Sequence, residues 1–171
     1  MIRFPKDACP RERPGYDMPL DEVPAVFLHR SSLPGPAALL VASGPLSDAA
    51  AQAAEELEGR GIRCDALHLR FLKPLEINYL SDLFARYDAV VAAEEGVLTG
   101  SVAAELAALA AAGGRRSRAL GFAERPLSQA SRPELLAQAG LDFASLALAV
   151  TQELAGFAEE LPRGVAPEVT A

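Results

Sequence analysis

A strand, a proline and a helix follow one another directly between residues 63 and 84, and this succession constrains the fold more than any other feature. Residues 64–72 have the two-residue alternation of a strand. Its faces would carry Asp65, Leu67, Leu69 and Phe71 on one side, and Ala66, His68 and Arg70 on the other. Lys73-Pro74 ends the strand, because proline donates no hydrogen bond to a sheet and holds the preceding residue extended. Helical spacing follows at once from Ile77 to Phe84, so the region predicts one β-α step.

The same alternation continues through the rest of the chain. Apolar runs predict five strands, at residues 25–30, 37–43, 64–72, 87–93 and 118–122. Helical spacing predicts five helices, which begin near residues 46, 76, 101, 131 and 142. Three of them have candidate N-terminal caps: Ser47, the Ser131–Glu134 capping box and Asp142. Strands that alternate with helices indicate a mostly parallel sheet between two helix layers.

The connection between the first two strands is an exception. About six residues around Pro34-Gly35-Pro36 separate them, which is too short for a crossover to a parallel neighbour. We therefore expect these two strands to pair antiparallel. The predicted fold is a three-layer α/β/α domain with a five-stranded mixed sheet, mostly parallel, with one antiparallel strand.

Length and charge narrow the domain organisation and the partners. A chain of 171 residues, half of them hydrophobic, fits one compact domain. We predict a linker at residues 1–24, the domain at residues 25–158 and a disordered tail at residues 159–171. The net charge of −7 argues against nucleic acid or an anionic membrane as the main partner. No apolar run approaches the roughly 20 residues of a membrane span.

The chain has only two cysteines and two histidines, and none of the four lies in a pattern typical of a catalytic or metal-binding site. Cys9 and Cys64 show no metal-binding or redox spacing, and we interpret them as reduced and inert. His29 and His68 both lie in predicted strands, where a structural role outweighs a catalytic one.

Ligands of open α/β sheets gather at the carboxyl ends of the strands. Here those ends lead into residues 43–45, 72–74, 94–101 and 122–130, which contain no phosphate-binding glycine motif and no nucleophile elbow. Thr99-Gly100-Ser101 could offer helix N–H groups to an anion, although a helix N-cap is the simpler interpretation. Glu94 and Glu95 follow each other at the end of a strand and would point to opposite faces, so they would not converge on one substrate atom as an acid–base pair. By itself the chain is predicted to be non-catalytic.

Several segments, in order, resemble the C-terminal domain of the 1-deoxy-D-xylulose-5-phosphate synthases, which are thiamine-diphosphate-dependent enzymes of the transketolase superfamily. The matching segments are Ser43 to Leu46, Leu69 to Leu75, Glu94 to Val97, Ser131 to Leu136 and Gly140-Leu141-Asp142. In addition, Ile2-Arg3-Phe4-Pro5-Lys6 resembles the segment that closes the preceding, pyrimidine-binding domain of these enzymes. The resemblance implies the same sheet architecture. The chain differs from the family in the loops at the strand ends. Gly96 stands where the family has an asparagine, and Thr99-Gly100-Ser101 replaces a longer glycine-rich loop. Leu127 to Ala130 stand where the family has I-P-H-G.

The resemblance also implies a function for the parent protein. The parent would be a cytoplasmic transferase, a homodimer, that condenses pyruvate with glyceraldehyde 3-phosphate, releases carbon dioxide and feeds isoprenoid (terpenoid) synthesis. Thiamine diphosphate and Mg²⁺ would be held by the preceding domains, and no cofactor or metal by this chain. Lys6, with Arg3 beside it, matches the arginine that holds the substrate phosphate in the family. This domain would support assembly with the preceding domains, of the same or a partner chain.

Two alternatives remain open at this point. We expect the chain to be a fragment of a longer protein, because it begins on the last strand of a domain that it otherwise lacks. It could instead be a stand-alone, non-catalytic assembly or binding subunit. It could also be the C-terminal part of a split transketolase or of a 2-oxoacid dehydrogenase beta subunit.

Overall fold

The fold is a five-stranded sheet with helices on both faces, as predicted. The computed structural model describes residues 16–19, 23–127 and 129–160, with backbone only for residues 157–160. The strands are β1 (Ala25–His29), β2 (Ala37–Ala42), β3 (Arg63–Leu69), β4 (Ala89–Val97) and β5 (Arg116–Phe122). The helices are α1 (Leu46–Gly59), α2 (Ile77–Phe84), α3 (Val102–Ala112), α4 (Arg132–Ala139) and α5 (Phe143–Glu160). The sheet order is β1-β3-β2-β4-β5, and only the β1–β3 pair among these strands is antiparallel.

The pairing predicted for the first strand was wrong in its partner. β1 runs antiparallel to β3, with Val26 opposite His68, and β3 separates it from β2. Residues 30–36 do reverse the chain direction, as their length requires. They are also long enough, at roughly 3.3 Å per residue, to pass the roughly 10 Å across two strand spacings. A short connection therefore fixes the direction of β1 but not its neighbour.

The sheet divides the interior into two layers. On one face Leu40 and Val91 pack against α1, α4 and α5, and on the other Leu39 and Val90 pack against α2 and α3. The alternation predicted for β3 is confirmed by the same division, since Cys64 and Ala66 lie in the first layer and Leu67 and Leu69 in the second. Burying each large aliphatic side chain contributes roughly 1.5–3 kcal/mol.

Several predicted boundaries shift. β3 ends at Leu69, where its partner β1 begins at Ala25. β4 continues through Glu94 and Glu95 to Val97, because Val97 pairs with Phe122 beyond a local irregularity in the register. The α5 helix extends to Glu160, two residues past the domain end predicted at residue 158, while residues 161–171 lie outside the described residues.

Two of the three predicted caps are confirmed. The Ser131 N–H and hydroxyl both donate to the Glu134 carboxylate, at 2.8 and 2.7 Å, in the expected capping box. Asp142 Oδ1 accepts the Ser145 N–H at 2.9 Å at the start of α5. Ser47 was wrongly predicted as a cap, since Pro45 occupies the cap position of α1.

One stretch of the described chain passes a membrane test by length and composition. It spans 25 residues, Arg132–Gly156, and its most apolar part has a mean hydropathy of 1.3, so the prediction of no such run does not hold by that measure. In the fold this stretch is two helices, separated at Gly140, whose φ of 70° is left-handed. Leu146 and Val150 of α5 are fully buried in the protein core. One face of α5 therefore packs against the core, while Phe143 and Leu148 are exposed.

Candidate functional site

The expected ligand crevice lies between the carboxyl ends of β2 and β4. These strands are neighbours, and the chain continues from β2 to β3 on one side and from β4 to β5 on the other. Such a reversal of strand order is where open α/β sheets bind ligands. Here the crevice, lined by Ser43, Leu72, Glu94 and Ala103 among others, has a volume of only about 10 Å³. That is about the space of one water molecule, so the usual crevice is filled.

Glu94, in the wall of this crevice, binds the N-terminus of α3. Its Oε2 accepts the Ala103 N–H at 3.2 Å. The Ser101 hydroxyl oxygen accepts the Ala104 N–H at 3.1 Å, which confirms the predicted N-cap. A carboxylate already satisfies the positive end of this helix, so a second anion would meet both repulsion and occupied donors.

Glu95 lies on the other side of the sheet, as predicted. Its two oxygens accept from Nε and Nη2 of Arg132, at 2.8 and 2.6 Å, in a two-pronged pair that joins β4 to α4. The two glutamates therefore serve different helices and do not converge on one atom. No local sequence pattern indicates Arg132 as a partner of Glu95, because 37 positions separate the two residues.

Ser47 and His68 form a pair that resembles a nucleophile and its base. Ser47 Oγ lies 2.5 Å from His68 Nδ1, and the Tyr16 ring lies 5.3 Å from the imidazole. Burial, and then the positive charge of Arg70, lower the pKa of His68. However, Ser47 is 0% exposed, so no substrate can reach its hydroxyl. The pair is a buried structural contact between α1 and β3.

The remaining candidate groups also have structural surroundings. His29 Nε2 lies 3.0 Å from Glu58 Oε2, which joins β1 to α1. Cys64 is a free, fully buried thiol, and burial raises its pKa far above the range in which it would react. Cys9 lies outside the described residues, as do Lys6 and Arg3, so the structure does not place the predicted phosphate-binding side chains.

The carboxyl edge of the sheet carries exposed apolar side chains, which we call the apolar rim: Phe71, Leu72, Val97 and Leu127, with 37%, 37%, 49% and 50% of their surfaces exposed. They follow the carboxyl ends of β3, β4 and β5. The loops there are tied together, since the Thr99 hydroxyl donates to Glu124 at 3.1 Å. Exposed apolar side chains that share one edge are typical of a contact surface.

The chain before β1 approaches the same edge. The Arg70 N–H donates to the Pro24 carbonyl at 2.9 Å, and Arg70 Nη2 donates to the Met18 carbonyl at 2.7 Å. Because β1 is antiparallel to β3, its start lies beside the carboxyl end of β3. The apolar rim and the preceding segment are therefore on one side of the domain.

Comparisons with known proteins agree with this architecture. The family described as transketolase, C-terminal domain, matches residues 30–146. A 1-deoxy-D-xylulose-5-phosphate synthase from Treponema pallidum (strain Nichols) is 34% identical over 142 residues, which are 82% of this chain and 22% of the relative. The synthase from Thermobifida fusca (strain YX) is 32% identical over 162 residues, 94% of this chain and 25% of the relative.

A solved structure gives the same fold. A chain described as a split gene transketolase, inactive beta4 tetramer, superposes with a TM-score of 0.66 at 24% identity, covering 77% of this chain and 42% of that one. The chain spans about a quarter of the length of the two synthases it matches. The matched region contains both the filled crevice and the apolar rim.

Proposed function

This chain belongs to the transketolase C-terminal domain family, and from that premise we propose that it is the C-terminal domain of a 1-deoxy-D-xylulose-5-phosphate synthase-like transferase. The parent would join pyruvate to glyceraldehyde 3-phosphate with loss of carbon dioxide, at the start of isoprenoid synthesis. It would act in the cytoplasm as a homodimer. The observation that carries this proposal is identity of about one third to synthases over most of this chain.

The contribution of this domain would be assembly. Its crevice has a volume of only about 10 Å³, and its buried Ser47 cannot reach a substrate, so the described side chains favour a structural role over a catalytic one. The apolar rim would lie against the preceding domains, of the same or the partner chain. The described residues before β1 reach the domain on that side, which supports this placement.

The thiamine diphosphate and Mg²⁺ of the parent would be bound by the preceding domains. Among the described residues there is no group of three or more His, Cys, Asp or Glu that could hold a metal ion. The N-terminus of α3, where a diphosphate could otherwise bind, is occupied by Glu94. This occupied helix end supports the proposal that the cofactor is held by the preceding domains, and the role of this domain in the reaction would then be indirect.

Lys6 and Arg3 would contact the substrate phosphate in the parent, as the resemblance of Ile2 to Lys6 to the synthase segment implies. A lysine supplies charge without the two-pronged fork of an arginine. Asp7, directly beside it, would oppose a phosphate. Both features favour weaker phosphate binding than in a synthase that has arginine at the position of Lys6 and glycine at the position of Asp7.

The test of the assembly role uses the full-length parent protein and a matched pair of surface variants. We expect Val97→Asp with Leu127→Asp on the apolar rim to lower both dimer content in sedimentation and the rate of product formation. Leu148→Asp, at a residue that is 56% exposed on α5, should change neither. A rim variant that assembles and turns over like the unmodified parent would contradict the assembly role. A well-folded parent that forms no 1-deoxy-D-xylulose 5-phosphate would contradict the reaction.

A second candidate is the C-terminal chain of a transketolase made from two genes. The solved relative whose description names a split gene favours it, although its 24% identity shows only the fold. Mixing this chain with separately expressed thiamine-binding domains distinguishes the two. Restored activity from two separate chains, with no activity from a single fused chain, would favour the split arrangement.

A further inference from the structure

A cavity lies at the edge of the sheet opposite to the apolar rim. Its volume is about 420 Å³, within the range of small-molecule sites. It lies between the end of β1, the start of β3 and the α2 helix with the residues that follow it. The carboxyl edge, with its filled crevice, is at the other end of the strands.

Three arginines line this cavity from three separate elements: Arg30 follows β1, Arg63 begins β3 and Arg86 follows α2. None of the three takes part in an ion pair within the described part of the chain. The Nε of Arg63 is buried and has no hydrogen-bond partner there, while its Nη1 makes one long bond of 3.5 Å to the Gly35 carbonyl. Unpaired buried donors are costly, so a ligand that accepts from them would be favoured.

The carboxylates in the cavity wall do not neutralise these cations. Asp65 Oδ2 accepts from the Tyr87 hydroxyl at 2.7 Å, and Oδ1 accepts the Ser31 N–H at 2.9 Å. Asp82 is the second carboxylate in the wall. The wall therefore has one positive charge in excess, on a chain whose net charge is −7. A local positive cavity on an acidic protein concentrates anions at that place.

The cavity also has fixed apolar surfaces. The Arg30 guanidinium carbon lies 3.7 Å from the centroid of the Phe27 ring, which holds the cation in place by a cation–π contact. Tyr79, on α2, lines the same cavity and is 38% exposed. A ligand with an anionic group and a small organic body would match both kinds of surface.

We propose that this cavity binds a small phosphorylated molecule, whose phosphate oxygens accept hydrogen bonds from Arg30, Arg63 and Arg86. Guanidinium groups that approach from three elements suit the tetrahedral oxygens of a phosphate better than the planar oxygens of one carboxylate. The concave shape suits a small molecule better than a protein surface. This site is separate from the carboxyl edge and does not depend on the reaction proposed for the parent.

The test is a calorimetric titration of the 171-residue chain with inorganic pyrophosphate, alongside citrate as a polycarboxylate of similar charge. Arg30→Gln with Arg86→Gln removes two exposed cavity cations. Arg60→Gln with Arg125→Gln removes two exposed arginines elsewhere, and matches the first variant in net charge. We expect the cavity variant to bind pyrophosphate roughly tenfold or more weakly, since charged hydrogen bonds are lost. The matched variant should stay within about twofold, because Arg60 and Arg125 lie outside the cavity and cannot contact a ligand bound there.

Four results would overturn the proposal. The first is that the unmodified chain does not bind pyrophosphate at millimolar concentration. The second is an equal loss in both variants, which would indicate a general charge effect. The third is tighter binding of citrate than of pyrophosphate, which would assign the cavity to carboxylates. A loss of self-association in the cavity variant, without any loss of pyrophosphate binding, would assign the surface to a protein partner instead.

Discussion

The hydrogen bond between Tyr87 and Asp65 allows the stability of the buried interior to be tested with a single substitution. Both residues are buried, at 6% and 7% exposure, and their 2.7 Å bond joins β3 to the residues just before β4. Tyr87→Phe keeps the ring and removes only the hydroxyl. A buried carboxylate then loses one of its two donors, and the other, the Ser31 N–H at 2.9 Å, remains.

A hydrogen bond to a charged group contributes roughly 1.5–3 kcal/mol. In the Tyr87→Phe variant, a water molecule from the adjoining cavity can donate to Asp65 in place of the hydroxyl and recover part of this contribution. We therefore expect the free energy of unfolding to fall by about 1–2 kcal/mol. For a domain of this size, that lowers the Tm by roughly 2–8 °C. Urea denaturation at pH 7 measures it, with calorimetry for the Tm. Tyr79→Phe is the matched control, because Tyr79 is exposed and should change stability by no more than about 0.5 kcal/mol.

The pH dependence gives an independent check. Burial, and then the hydrogen bond to Asp65, raise the pKa of Tyr87 above its usual value. The stability it contributes is therefore fully present below about pH 10 and lost as the pH rises further, by about 1.4 kcal/mol per pH unit. The difference in the free energy of unfolding between the unmodified chain and Tyr87→Phe should therefore become smaller above about pH 10. Equal stabilities for Tyr87→Phe and Tyr79→Phe at pH 7, or a gap that widens at high pH, would refute the reasoning.

Two further predictions concern His68 and Lys6. Burial and Arg70 lower the pKa of His68, so the unfolded chain takes up a proton first and the free energy of unfolding should fall below about pH 6.5, by up to about 1.4 kcal/mol per pH unit. His68→Gln should flatten this slope in denaturation at pH 5, 6 and 7.5, and an unchanged slope would show that another group is responsible. In the full-length parent, Lys6→Arg with Asp7→Gly should lower the KM for glyceraldehyde 3-phosphate and leave that for pyruvate almost unchanged. Equal shifts for both substrates, or none, would exclude Lys6 as the phosphate anchor.

Local sequence patterns predicted the elements well because each element is specified within a few residues. The alternation in β3 and the capping box at Ser131 and Glu134 depend on neighbours two or three positions away. The partner of β1 was not predictable in this way, since the choice between β2 and β3 depends on where the crossover through α1 places β3.

The candidate sites also depend on contacts between residues that are distant in sequence, which local patterns do not predict. Glu94 and Glu95 were correctly placed on opposite faces from strand periodicity alone. Their partners, Ala103 and Arg132, follow from the packing of α3 and α4 on the sheet. The cavity lined by Arg30, Arg63 and Arg86 depends on three elements that are distant in sequence, and no spacing signals it. Charged residues scattered along a chain indicate a site only after the fold brings them together.

The reversed direction of β1 affects how strong the contact at the apolar rim has to be. Because β1 starts beside the carboxyl end of β3, a covalent connection to preceding domains would arrive next to the surface it helps to dock. A short tether gives two linked surfaces an effective concentration on the order of millimolar, so even a weak contact would remain closed. The same rim on an untethered chain would need a larger or more apolar contact to reach equal occupancy. In the proposed assembly, the direction of β1 would therefore lower the affinity that the apolar rim needs in order to dock.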